Sequence, residues 1–141
     1  MMIRMALMAV GLLGWMILPV DAAEKDPMKV RVPADQLAAA QKLKSPVAAT
    51  DVVAKGKELY EGKGTCLKCH GVTGQGDGPG AKLVRPSPRN LTNHEWQKAR
   101  TDGELFWIIK NGSPGTGMMA FGGLPDEQVW QLIHYIRSLA K

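Results

Sequence analysis

Toward the end of the chain Val129, Leu132, Ile133, Ile136 and Leu139 recur at steps of three and four, which lines up one face of an α-helix. The spacing predicts a helix from near Pro125 to the C-terminus, with Arg137 and Lys141 close to its negative end. A second helix begins at Thr101-Asp102-Gly103-Glu104, a capping box in which hydroxyl and carboxylate reciprocally satisfy the first turn. It is expected to reach about Lys110, turn Leu105, Ile108 and Ile109 inward, and stop at Asn111-Gly112. A third runs from a Thr50 cap to about Glu61 and places Val52, Val53, Gly56, Leu59 and Tyr60 on its apolar face. No segment alternates with the period of a strand, so the predicted fold class is all-α.

Between these helices the rhythm is lost. Residues 71–100 are dense in Gly, Pro, Asn and Thr and read as a long loop, which a compact domain tolerates only when something holds it. Residues 24–49, rich in Ala and Lys and broken by Pro27, Pro33 and Pro46, read as an extension or tether with at most a short helix over 34–44. At the N-terminus Arg4, an apolar run over 5–20, and then Asp21, Ala22 and Ala23 have the order of a secretory signal. Cleavage is expected after Ala22. The run contains Gly11, Gly14 and Pro19 and is shorter than the roughly 20 residues that cross a bilayer comfortably; an uncleaved anchor is the alternative. With 141 residues there is room for one domain, divided as signal 1–22, extension or linker 23–49 and folded domain 50–141.

Candidate chemistry concentrates at Cys66-Leu67-Lys68-Cys69-His70. Two cysteines in an exported protein would by default form a disulfide, but this spacing with the adjacent histidine is that of c-type haem attachment. Two thiols three positions apart suit the two vinyl groups of one haem while the imidazole reaches iron. A structural zinc site would want a fourth ligand, and the nearest other histidine is His94; a thioredoxin-like redox pair would want a strand and helix context that is missing. The expected cofactor is therefore one covalent haem c, which also gives the long loop an apolar surface to lie on.

What fills the sixth iron position decides between electron transfer and chemistry on a bound ligand. Five of the eight methionines lie in the signal and Met28 in the extension, leaving Met118 and Met119 in a glycine-rich loop over 113–121. They either fill a gap in the core or bring a sulfur to the iron. His94 is a substitute ligand in principle and reads as a surface residue; His134 points away from the apolar stripe of its helix and reads as solvated. Gly74, Gly76, Gly78 and Gly80 follow no strand and precede no lysine-serine pair, so they do not read as a phosphate loop.

The net charge of +5 survives removal of the signal, which takes Arg4 and Asp21 together. Lys55, Lys57, Lys63, Lys68, Lys82, Arg85 and Arg89 cluster in sequence around the cysteine motif, suiting an acidic protein partner, an anionic membrane surface or plain solvation. Nucleic acid is excluded as a partner, because export removes it and no aromatic residues alternate with the basic ones.

On these residues the stretch over 50–141 resembles the small soluble class I cytochromes c of bacterial electron-transfer chains. Gly56, Tyr60, the Cys66 to His70 motif, Gly115-Thr116-Gly117-Met118, Leu132 and Tyr135 carry the likeness. It implies that Gly56 and Tyr60 on the first helix cross Leu132 and Tyr135 on the last, with Gly56 permitting close approach. It implies His70 and Met118 as axial ligands, with Met119 standing where a proline usually follows and so remaining the alternative ligand. A proline in the long loop would support the axial histidine, matched by Pro86 or Pro88, and Arg89, Asn90 and Trp96 would meet the haem propionates. The implied function is an exported single-electron carrier that docks redox proteins with acidic patches and has no substrate of its own. Membrane contact enters only if the N-terminal segment is uncleaved. The alternatives are a haem subunit of a larger membrane or periplasmic oxidoreductase complex, and a ligand-binding haem enzyme or gas sensor.

Overall fold

A computed structural model describes residues 26, 28–48 and 51–140. The elements in chain order are α1 (Ala34–Lys42), α2 (Val52–Glu61), α3 (Leu67–His70), a 3-10 turn (Ala81–Leu83), α4 (His94–Ala99), α5 (Asp102–Asn111) and α6 (Asp126–Ser138). Among the described residues there is no strand. The signal-like segment, the Thr50 cap and Lys141 lie outside them. Within them, no helix is long and apolar enough to cross a membrane.

The core forms where α2 crosses α6. The apolar stripe of α6 buries Val129, Leu132, Ile133 and Ile136, and Trp130 and Tyr135 widen it beyond the predicted positions. Gly56 sets the distance between the helices: a side-chain carbon there would lie 2.1 Å from the Gln131 carbonyl oxygen and 2.8 Å from Tyr135 Cβ. One turn along α2, fully buried Tyr60 meets the edge of Tyr135 with ring centroids 5.2 Å apart. Burial raises the Tyr60 phenol above its ordinary range, so it remains a donor, and it gives its proton to the Gly71 carbonyl at 2.7 Å. Gly74 N donates to the same carbonyl at 3.2 Å, so Tyr60→Phe removes one of its two hydrogen bonds and should cost about 0.5–1.5 kcal/mol, read as a lower urea midpoint of the haem-bearing protein with its visible spectrum unchanged.

α5 starts as its capping box predicts, with Thr101 Oγ1 accepting from Glu104 N and Glu104 Oε2 accepting from Thr101 N. Phe106 stacks on Trp130 at 4.5 Å, which lays α5 against α6. The stretch expected as a structureless loop contains the 3-10 turn and α4; Asn93 opens α4 by accepting from Trp96 N. Arg137 then joins three helices. Its Nε donates to Asp102 at 2.7 Å, Nη1 to both carbonyls of Gln97, and Nη2 to the Arg100 carbonyl.

The segment expected as an extension is docked on the domain. α1 lies on α5, with Ala40 buried and Gly103 so close that a side-chain carbon would fall 1.9 Å from the Ala40 carbonyl oxygen. His134, expected in solvent, is instead half-buried with Nε2 3.0 Å from Ser45 Oγ, because the chain following α1 returns across the outer face of α6.

Candidate functional site

The α2 helix ends at Gly62, and Thr65 takes a left-handed φ of 48° as the chain turns into α3. α3 is a single turn in which Cys69 N and His70 N both donate to the Cys66 carbonyl, at 3.2 and 2.8 Å. Positions three and four apart on a helix share a face, so one turn sets Cys69 and His70 on the side of Cys66, and Cys66 and His70 line a common cavity. The loop after it closes back on this turn. Gly76, Gly78 and Gly80 donate their amides to the carbonyls of His70, Cys69 and Lys68, which otherwise end the helix without partners. Those amides are spent within the protein, the opposite of a phosphate cradle. At Gly78 a side-chain carbon would sit 2.4 Å from the Leu67 carbonyl oxygen.

His70 Nδ1 lies 2.9 Å from the Arg89 carbonyl oxygen. A carbonyl only accepts, so Nδ1 carries the proton and the Nε2 lone pair is left for a metal. The family resemblance implied a proline for this support. Neither Pro86 nor Pro88 gives it; the acceptor belongs to Arg89, while both prolines line the neighbouring cavity. Burial holds the imidazole below its ordinary range, which keeps it neutral, as a ligand must be. Burial likewise pushes the Cys66 thiol up to about 11.

That cavity has a volume of about 320 Å³. Leu91, Leu105, Ile109, Leu132 and Ile136 form its inner wall, and Cys66, His70 and Met118 face it from different stretches of chain. The Met118 loop is pinned: Met118 N donates to Thr116 Oγ1 and Ser113 N to the Met118 carbonyl, while Gly117 packs on Val84 so closely that a side-chain carbon would lie 2.7 Å away. Met119 is 69% exposed and is not on the wall. Cys69 is half-buried beside Gly80 and is also absent from the wall.

At the polar rim, Arg89 lies over the ring of buried Trp96, 5.2 Å from its centroid. Its guanidinium is brought down to about 10, first by burial and then by Arg100 and Arg31. Arg89, which the sequence offered both as one of the basic residues around the cysteine motif and as a propionate partner, lies on the cavity lining. Asn90 lines the same rim with its Oδ1 committed to Thr92. His94 is half-exposed, 3.9 Å from Glu95 and off the wall. Sequence reasoning missed the contribution of the N-terminal strap, since Asp26, Lys29, Arg31 and Val32 all line this rim. The only signal available was a basic pair inside a segment that reads as a linker.

These residues fit a haem. An apolar slot carries a neutral imidazole with its ligating nitrogen free, a thioether and the Cys66 thiol on the same space, Cys69 follows on the same helical turn, and cations crowd the rim where propionates belong. The comparisons agree with that chemistry. Residues 53–140 match the cytochrome c family model. Among solved structures, the chain is similar to one in the Kuenenia stuttgartiensis reducing HAO-like protein complex, with a TM-score of 0.62 and 32% identity, covering 69% of this chain and 48% of that one. It is also similar to the KustC0563 c-type cytochrome, with a TM-score of 0.51 and 32% identity, covering 61% of this chain and 98% of that one. The chain thus spans about half the length of the first of these. No curated protein matches the sequence.

Proposed function

The chain belongs to the cytochrome c family and is a haem c electron-transfer protein, and from that premise we propose that it is a single-electron carrier whose iron is held between His70 and Met118. The observation that carries this reading is the convergence of His70 and Met118 on one apolar cavity while Met119 faces solvent. Cys66 and Cys69 are the thioether positions. Haem, when bound, would supply a metal centre for one-electron transfer, held by His70 and Met118, and the methionine sulfur would raise its potential.

The chain's own residues fix the surroundings. The Arg89 carbonyl orients the imidazole. Leu105, Ile109, Leu132 and Ile136 exclude water, and the pinned loop over 113–118 keeps the sulfur from moving when the charge changes. Little rearrangement is then needed on electron transfer, and no substrate turns over. The signal-like N-terminus supports export, and Lys55, Lys57, Lys63 and Lys68 supply charge for steering acidic redox partners. The optical spectrum tests this. A six-coordinate low-spin spectrum with a far-red sulfur band, unchanged by carbon monoxide, is expected; a high-spin spectrum or a rapid carbon monoxide adduct would replace the carrier with a ligand-binding haem enzyme or sensor.

A second reading has one observation in its favour: the chain in the HAO-like assembly that it resembles is part of a complex. A haem subunit of a larger oxidoreductase would copurify with a dehydrogenase or reductase after gentle extraction, and a free carrier would elute alone.

A further inference from the structure

The strap before α2 reaches the cavity because two small residues let backbones touch. Gly103 on α5 and Ala40 on α1 leave room for nothing else, and this seat returns residues 28–32 across the rim. There Val32 is buried, the Met28 carbonyl accepts from Arg100 Nη2, and Lys29 and Arg31 join the lining.

Arg31 is the unusual member. Its Nε is shielded from solvent and has no hydrogen-bond partner among the described residues, although a buried donor on a charged group is costly to leave unmade. Its Nη1 lies 3.5 Å from where a side-chain carbon on Gly115 would stand, at the base of the loop that carries Met118. Arg31 also contributes to the lowering of Arg89. The charged residues on the cavity lining are Lys29, Arg31, Arg89 and Arg100 against the two carboxylates Asp26 and Glu104, and Glu104 is engaged by Arg100 at 3.7 Å. An excess of two positive charges at one rim calls for anionic occupants, and a haem carries two propionates.

We propose that the N-terminal strap is a working part of the cofactor site: seated through Ala40 on Gly103, it delivers Arg31 to pair with a haem propionate and so raises the reduction potential. This rests on the reading of the cavity as the haem site. Arg31 is a positioning and charge-compensating residue, not an iron ligand. Neutralising a propionate removes negative charge that would favour the ferric state, so loss of Arg31 lowers the potential.

The test is the midpoint potential of the full-length haem-bearing protein. Arg31→Gln should lower it with the visible spectrum and the far-red band unchanged, and Arg31→Lys should restore most of the loss. Gly103→Ala, which unseats the strap, should lower the potential as well, and adding Arg31→Gln to it should bring no further drop. A wild-type potential in Arg31→Gln, or an equal drop in Arg31→Lys, would overturn the charge pairing. A full additional drop in the double variant would overturn delivery by the strap. An error in the cavity reading would show separately, as a wild-type protein without a low-spin haem spectrum whatever stands at position 31.

Discussion

Met118→Ala is expected to abolish the far-red absorption of the ferric protein, open the iron to carbon monoxide, and lower the potential by a sizeable part of the roughly 0.8 V over which axial ligands tune haem. The fold should survive, because Met118 is only half-buried and sits in a loop held by Ser113 and Thr116. Met119→Ala should leave all three readouts unchanged, since its side chain is 69% exposed. The neighbours form a matched pair differing by one position in the chain and by which side of the loop they occupy. A loss of the band in Met119→Ala alone would move the ligand by one residue.

Gly56→Val should be the most damaging single change to the fold. Overpacking in a yielding core costs about 1–3 kcal/mol, but here the first obstacle is a backbone carbonyl 2.1 Å from the new carbon, and that carbonyl belongs to the helix bearing most of the core. The expected loss exceeds about 3 kcal/mol, a large share of the 5–15 kcal/mol that holds a typical domain together. Chemical denaturation, or failure to accumulate haem-bearing protein, would report it. Gly56→Ala should be milder and still destabilising. Gly123→Ala, with nothing within 4 Å of the added carbon, should be silent. Equal stability of all three would mean that α2 and α6 do not cross at Gly56.

Helix α6 was legible in the sequence because 13 residues give a three-and-four rhythm time to repeat, and α5 because Thr101 and Glu104 announce its first turn chemically. α4 was not. Its six residues make less than two turns, too few for a period, and its cap at Asn93 lies among other loop-forming residues. The support of His70 was also hidden, for a different reason: every residue has a carbonyl, so the side chain of Arg89 says nothing about its backbone accepting a hydrogen bond. The docking of α1 depends on the absence of side chains at Ala40 and Gly103, and absences do not form a pattern. Arg31 was overlooked along with the strap that carries it. By contrast the proposed attachment residues Cys66, Cys69 and His70 stand out in the sequence because covalent attachment demands a fixed local spacing, and the proposed ligand Met118 because the signal-like segment and extension claim six of the eight methionines.

The guanidinium of Arg137 has a consequence for how this protein breathes. Its acceptors sit on Gln97, Arg100 and Asp102, so α4 and the start of α5 are fastened to the last turns of α6 by one side chain. Trp96, Leu105, Ile109, Leu132 and Ile136, which those helices contribute to the cavity wall, cannot come apart one helix at a time without breaking several of these hydrogen bonds at once. The wall therefore opens as one cooperative unit or not at all, and water reaches the cofactor slot through rare, large fluctuations and not through frequent small ones.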